Sequence, residues 1–164
     1  LSNLCFQPAR RFYHENLGFN YRLTNVQAAL GLSQIQRMEE IIQRKRTIAA
    51  SYNERLRVIE GLELPFEENW ARSVYWMYGI VLKDSVAMNA AEFADALRKQ
   101  EIETRPFFLG MHEQPVFHRR GLFSAEQYPV AERLARRGLY LPSGLGLKED
   151  QINSVCDAIH SIVK

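Results

Sequence analysis

The chain is poor in the residues that usually announce chemistry. It has two cysteines in 164 residues, Cys5 and Cys156, with no CxxC pair and no histidines at ligand spacing, which argues against a zinc site. It contains no GxGxxG, no P-loop, no HExxH and no GxSxG. Gly144-Leu145-Gly146 lacks a third glycine and reads as a strand-to-helix turn. No carboxylate pair stands out, since Glu67-Glu68 and Glu149-Asp150 read as loop and helix-start residues. No apolar run approaches the roughly 20 residues that cross a bilayer as a helix. The net charge is only +2, so nothing calls for a nucleic acid or a membrane as partner. Low cysteine usage fits a reducing, cytoplasmic compartment.

What is present is the material of one globular domain with a real core: 46% hydrophobic and 24% charged residues. Basic pairs and triplets recur at Arg10-Arg11, Arg44-Lys45-Arg46, Arg119-Arg120 and Arg136-Arg137, and are expected on solvated faces. Leu1-Ser2-Asn3-Leu4-Cys5-Phe6 reads like the interior of a protein, so a fragment is expected.

Residues 1–23 are loop-like. Thr24 followed by Gln27 makes a capping box, and Val26, Leu30, Ile35, Met38, Ile42, Ala49, Tyr52 and Leu56 follow at helical spacing. One long helix from about residue 24 to about 57 is predicted. Its segment Val26–Leu32 is small and apolar nearly all round, and is expected to be covered on several sides or by another subunit. Val74 to Leu82 reads as a strand, Asn89 caps a helix reaching about Gln100, and Glu101 to Phe108 reads as a second strand. Residues 109–127 read as a loop, with a helix from Pro129 to Gly138 after it. A strand Leu139–Pro142 follows, then a helix with Ile152, Val155, Cys156, Ile159 and Ile162 on one face. A long helix followed by β-α-β-α-β-α predicts an α/β or α+β sandwich, a small sheet backed by helices.

Two constellations carry possible chemistry. The entry loop holds Arg11, His14, Gly18, Asn20 and Arg22 just before a helix start. It is either a surface loop with solvated cations or an anion site, with Asn20 donating an amide N–H and Arg22 a charge-assisted bond. The second is Arg105-Pro106-Phe107-Phe108 with His112 and Gln114-Pro115. It is either a strand end with packed aromatics or a sugar or base pocket. His118 and His160 read as surface or helix residues, with no partner to name from the sequence.

The stretches GFNYRLTN, VYWMYGIVL, IETRPFFLGMHEQP and YPVAERLARRGLYLPSGLGLKEDQI, in that order, resemble the nucleotide-sugar aminotransferases of the DegT/StrS type, which use pyridoxal phosphate (PLP). The resemblance covers essentially the whole chain and is to perosamine synthase-like members in particular. It implies a fold-type-I aminotransferase: a large PLP domain, a small C-terminal domain, and a homodimer with shared active sites. Residues 1–60 then correspond to the end of the large domain, with an active-site loop 1–23 and a long connecting helix, and 61–164 to the small domain. The resemblance assigns Asn20 to the PLP phosphate of the neighbouring subunit, places Arg22 and His14 in the shared site, and sets Arg105, Phe107 and His112 near the nucleotide-sugar.

The family's PLP-binding lysine is not identifiable here: Lys45, Lys83, Lys99, Lys148 and Lys164 all stand outside its context. The resemblance therefore implies a C-terminal portion with no catalytic residue and no metal of its own. The complete enzyme would move an amino group from an amino acid, glutamate in the first instance, to a keto-sugar nucleotide. Two alternatives stay open: a dehydratase of the same family, with histidine in place of the lysine, or a non-catalytic binding or dimerisation domain.

Overall fold

Apolar periodicity, two capping boxes and the needs of strand ends account for most of the architecture. The computed structural model describes residues 21–123 and 125–163. Contacts divide the chain into two units, one ending at Met38 and one beginning at Glu39.

The first unit contains helix α1 (Asn25–Gln36). The Gln27 amide donates to Thr24 Oγ1 at 3.2 Å, and the Thr24 amide donates to Gln27 Oε1 at 2.9 Å. This is the reciprocal box that the sequence predicts. Val26, Leu30, Leu32 and Ile35 are all exposed.

The expected unbroken helix is interrupted. Arg37 leaves helical geometry at φ −106°, ψ 10°, and its N–H turns back to the carbonyls of Gln34 and Ile35. Helix α2 (Met38–Leu56) then begins. No glycine or proline marks the break.

In the second unit, α2 buries Ile48, Ala49, Tyr52 and Leu56, a stripe repeating at helical spacing. Four strands follow in an antiparallel sheet of order β1-β2-β4-β3: β1 (Leu62–Glu63), β2 (Tyr78–Leu82), β3 (Arg105–Pro106) and β4 (Gly138–Leu141). Helix α3 (Ala90–Arg98) is capped by Asn89, whose side chain accepts from the Ala91 and Glu92 amides. A 3-10 turn (Met111–Glu113) and a short helix α4 (Pro115–His118) occupy part of the stretch read as loop. Helix α5 (Pro129–Arg137) runs straight into β4, and α6 (Glu149–Ile162) closes the unit.

Strand alternation separates two faces. Tyr78, Ile80, Leu82, Leu139 and Leu141 enter a core with α2, Phe93 and Leu97 of α3, and Ile152, Val155, Cys156 and Ile159 of α6. Each fully buried Ile, Leu or Phe contributes about 1.5–3 kcal/mol. The expected core thiol of Cys156 is buried, and burial pushes its pKa up to about 11. Tyr52 and Tyr78 stack at 4.8 Å, their hydroxyls donating to Pro142 O at 2.8 Å and Asn53 Oδ1 at 2.6 Å.

The second face is built on glycine. Gly79 and Tyr140 pair across β2 and β4, and Phe107 lies over them. A Cβ on Gly79 would stand 2.7 Å from the Phe107 ring, and one on Gly138 would stand 2.3 Å from it. Here the glycines make room for an aromatic ring rather than for a turn. Arg133 of α5 reaches this face through two 2.8 Å bonds to Glu63.

Two of the predicted strands are shorter than expected. Tyr75 is left-handed at φ 45°, so β2 starts at Tyr78 rather than Val74. The 101–108 strand pairs only at Arg105 and Pro106. Arg137, expected on a solvated face, is instead half-buried. Its guanidinium donates to the carbonyls of Leu82 (3.1 Å), Met88 (2.8 Å) and Val86 (2.9 Å), and also to Lys83. One fork thus satisfies the turn after β2.

Arg137→Ala should therefore lower stability by about 3 kcal/mol, read as a lower urea midpoint with the slope unchanged, because several carbonyls lose their donor together. Arg137→Lys should recover only part, lacking the planar fork. A loss under about 0.5 kcal/mol would mean that solvent replaces the guanidinium.

Candidate functional site

Three consecutive cations of α2 organise the loops at one end of the sheet. Arg44 donates from Nε to Leu145 O at 3.2 Å and from its terminal nitrogen to Leu147 O. Lys45 Nζ donates to Trp76 O at 2.9 Å and to Ser143 O. Arg46 grips Glu67 through two bonds of 2.8 and 3.0 Å and donates to Ser73 O at 2.6 Å. All three are half-buried, so the expected solvated face is corrected: their donors go to carbonyls that would otherwise lack partners.

Electrostatics follow from this geometry. Burial lowers the Lys45 pKa. The Arg46 bond, helped by the Ser73 amide, holds Glu67 far below the ordinary carboxylate range, to about 2. The Arg46 guanidinium also lies 5.7 Å from the centre of the Tyr75 ring.

These bonds pin a loop with Trp76 at its end. Trp76, Met77 and Tyr140 border two clefts. The larger, about 930 Å³, is also lined by Lys45, Thr104, Arg105 and Gln151. The smaller, about 380 Å³, is also lined by Glu63, Tyr75, Gly79 and Phe107.

The residues predicted as one constellation are distributed over this region. Arg105 is exposed on the larger cleft. Phe107 lies on the second face of the sheet, 4.4 Å from the Tyr140 ring, and lines the smaller cleft. His112 is buried. Its Nε2 lies 3.3 Å from Glu132 Oε1 and its ring 4.7 Å from that of Tyr128. Glu132 also accepts the Tyr128 amide at 2.8 Å. His118, for which the sequence offered no partner to name, bonds through its ring to the His112 carbonyl. Gly110 permits this arrangement, since a Cβ there would stand 2.5 Å from the His112 ring. Arg22 is exposed, two residues before the cap of α1. Asn20 and His14 lie outside the described residues.

Lys45, Arg46, Glu67, Trp76 and Tyr140 were not among the site residues expected from the sequence. The one available signal is the pair Tyr75-Trp76 in an aromatic run, which strand periodicity absorbs. Among the described residues, no group of three or more His, Cys, Asp or Glu is placed to hold a metal ion. No described helix is long and apolar enough to cross a membrane.

Comparison with known proteins identifies the scaffold. Residues 1–160 match the DegT/DnrJ/EryC1/StrS aminotransferase family, and the chain belongs to that family. It is 31% identical over 159 residues to the GDP-perosamine synthase of Vibrio cholerae, covering 97% of this chain and 42% of that protein. The chain thus spans less than half the length of the curated relatives it matches. It superposes on DesV from S. venezuelae with a TM-score of 0.79 at 25% identity, covering 94% of this chain and 40% of that one. It also superposes on the E. coli GDP-4-keto-6-deoxy-D-mannose-3-dehydratase with a TM-score of 0.74, covering 90% and 38%; at 18% identity that likeness concerns the fold alone. The solved neighbours agree with a fold-type-I scaffold, of which this chain matches a part.

The Glu67–Arg46 pair makes acid stability measurable. A depressed carboxylate contributes stability that is fully present above its unfolded pKa, about 4.3, and is lost as pH falls toward the folded value. Glu67→Gln should therefore flatten the fall in thermal midpoint between about pH 4.5 and pH 2. An acid limb as steep as that of the unsubstituted chain would show that Glu67 is not held in its charged form.

Proposed function

We propose that this chain is the C-terminal portion of a PLP-dependent sugar aminotransferase that moves an amino group from an amino acid, glutamate in our reading, to a keto-sugar nucleotide. The observation that carries the proposal is the family match across residues 1–160, together with the likeness to a GDP-perosamine synthase over 97% of the chain. We assign residues 1–60 to the end of a large cofactor domain and 61–164 to the small domain. The working unit is a cytoplasmic homodimer with shared sites.

The exposed, cationic Arg22 fits a phosphate-bearing cofactor. It lies two residues before the cap of α1, with no ion-pair partner among the described residues. Asn20 would donate an amide N–H to the same phosphate, and His14 would line the shared site. PLP, when bound, supplies the electron sink for amino transfer. The residues of this chain hold and orient. Arg105 offers charge from the larger cleft and Phe107 an aromatic surface on the smaller. His112, packed on Glu132 and Tyr128, ties the turn at 111–113 to α5. The lysine that carries the cofactor belongs to the part of the relatives that this chain does not span. The residue at that position decides between amino transfer and dehydration.

The 164-residue chain alone should show no aminotransferase activity with glutamate and a keto-sugar nucleotide; turnover by it would overturn the assignment. In the enzyme with its cofactor lysine, Asn20→Ala should raise the PLP dissociation constant roughly ten- to a hundredfold, the cost of one bond to a charged group. An unchanged constant would remove Asn20 from the phosphate site.

A further inference from the structure

Trp76 has no role in the core, yet its backbone is tied in place. Its side chain is 65% exposed. Its carbonyl is fixed by Lys45, and the residue before it, Tyr75, is held left-handed at φ 45°. The Tyr75 amide donates to Ser73 Oγ at 3.2 Å, and Ser73 is itself clamped through its carbonyl by Arg46 and through its amide by Glu67. A left-handed non-glycine residue costs energy and persists only where its surroundings over-determine it. Here those surroundings expose a large aromatic ring.

The position of that ring indicates its use. Trp76 lines both clefts. Volumes of about 930 and 380 Å³ lie in the range of small-molecule sites. On one side lies Arg105, exposed and without an ion-pair partner among the described residues. Glu101 and Glu103, in the same cleft, are suited to accept hydroxyl donors rather than phosphate. On the other side lie Tyr75, Tyr140 and Phe107. A flat aromatic surface beside an unpaired guanidinium is complementary to a ligand with a flat ring at one end and phosphates next to it.

We propose that Trp76 is the stacking platform for the base of a nucleoside diphosphate group, with Arg105 turned to its phosphates. The inference rests on the sugar-nucleotide reading and adds to it the residue that holds the base. Lys45 and Arg46 are positioning residues, acting through the Trp76 carbonyl and the Ser73–Tyr75 turn. A platform whose backbone is already fixed gains affinity because less is left to order when the ligand arrives.

The chain has two tryptophans, so Trp70→Phe leaves Trp76 as the sole indole reporter. Titrating this variant with GDP, UDP and dTDP should produce saturable quenching by at least one of them, and inorganic pyrophosphate should produce none. In equilibrium dialysis with the same nucleotides, Trp76→Leu should weaken binding roughly tenfold or more, while Trp76→Phe should retain most of it. The inference is overturned if no nucleotide quenches, if Trp76→Leu binds as tightly as the unsubstituted chain, or if the substitution instead changes the sedimenting mass, which would make this face a protein contact. A second readout separates it from the reading beneath it. In the enzyme carrying its cofactor lysine, Trp76→Leu should raise KM for the sugar nucleotide and leave that for the amino donor unchanged. Amination with an unchanged sugar-nucleotide KM would remove Trp76 and leave the aminotransferase standing. Failure of the unsubstituted enzyme to aminate would remove the aminotransferase and leave the nucleotide titration to judge Trp76.

Discussion

Backbone carbonyls at the ends of short strands must find donors, and in this unit one turn of α2 provides them. Arg44 serves the 145–147 turn, Lys45 joins Ser143 to Trp76, and Arg46 ties Glu67 to Ser73. A carbonyl left without a donor costs about 1–3 kcal/mol. Loops that differ by up to about a hundred positions in sequence are thus referred to one rigid helix, itself anchored by Ile48, Tyr52 and Leu56 in the core. Both clefts depend on this, because Trp76 and Tyr140, which border both, sit beside the tied segments.

The second determinant is steric. The face of the sheet turned away from the core is shaped by glycines at 79 and 138, which leave room for the Phe107 ring and its packing against Tyr140. A side chain at either glycine would lift the ring and alter the smaller cleft. The same strand pair therefore builds a packed core on one face and an aromatic surface on the other.

Local rules made much of the fold legible. Thr24 with Gln27 and Asn89 with Glu92 announced two helix starts, and the Ile152–Ile159 stripe announced the last helix. The break at Arg37 was not legible, since nothing in the residues around it disfavours a helix. Neither was β1, two residues long and defined by its pairing with β2. The basic triplet 44–46 misled because solvation and tertiary bonding need the same residue types; only the fold shows which carbonyls lie within reach. The candidate site was legible in composition but not in arrangement. Arg105, Phe107 and His112 are neighbours in sequence, yet one faces the larger cleft, one lines the smaller, and one is packed on Glu132. Trp76 was hidden by the strand pattern of its own segment.

The central claim is that α2 holds distant loops through side-chain donors to their backbone, and native-state hydrogen exchange of Lys45→Met tests it most directly. The account predicts faster exchange confined to the amides around Trp76 and residues 143–147, with the β2–β4 ladder amides unchanged. Uniform acceleration across the sheet, or no change in the two loops, would contradict it.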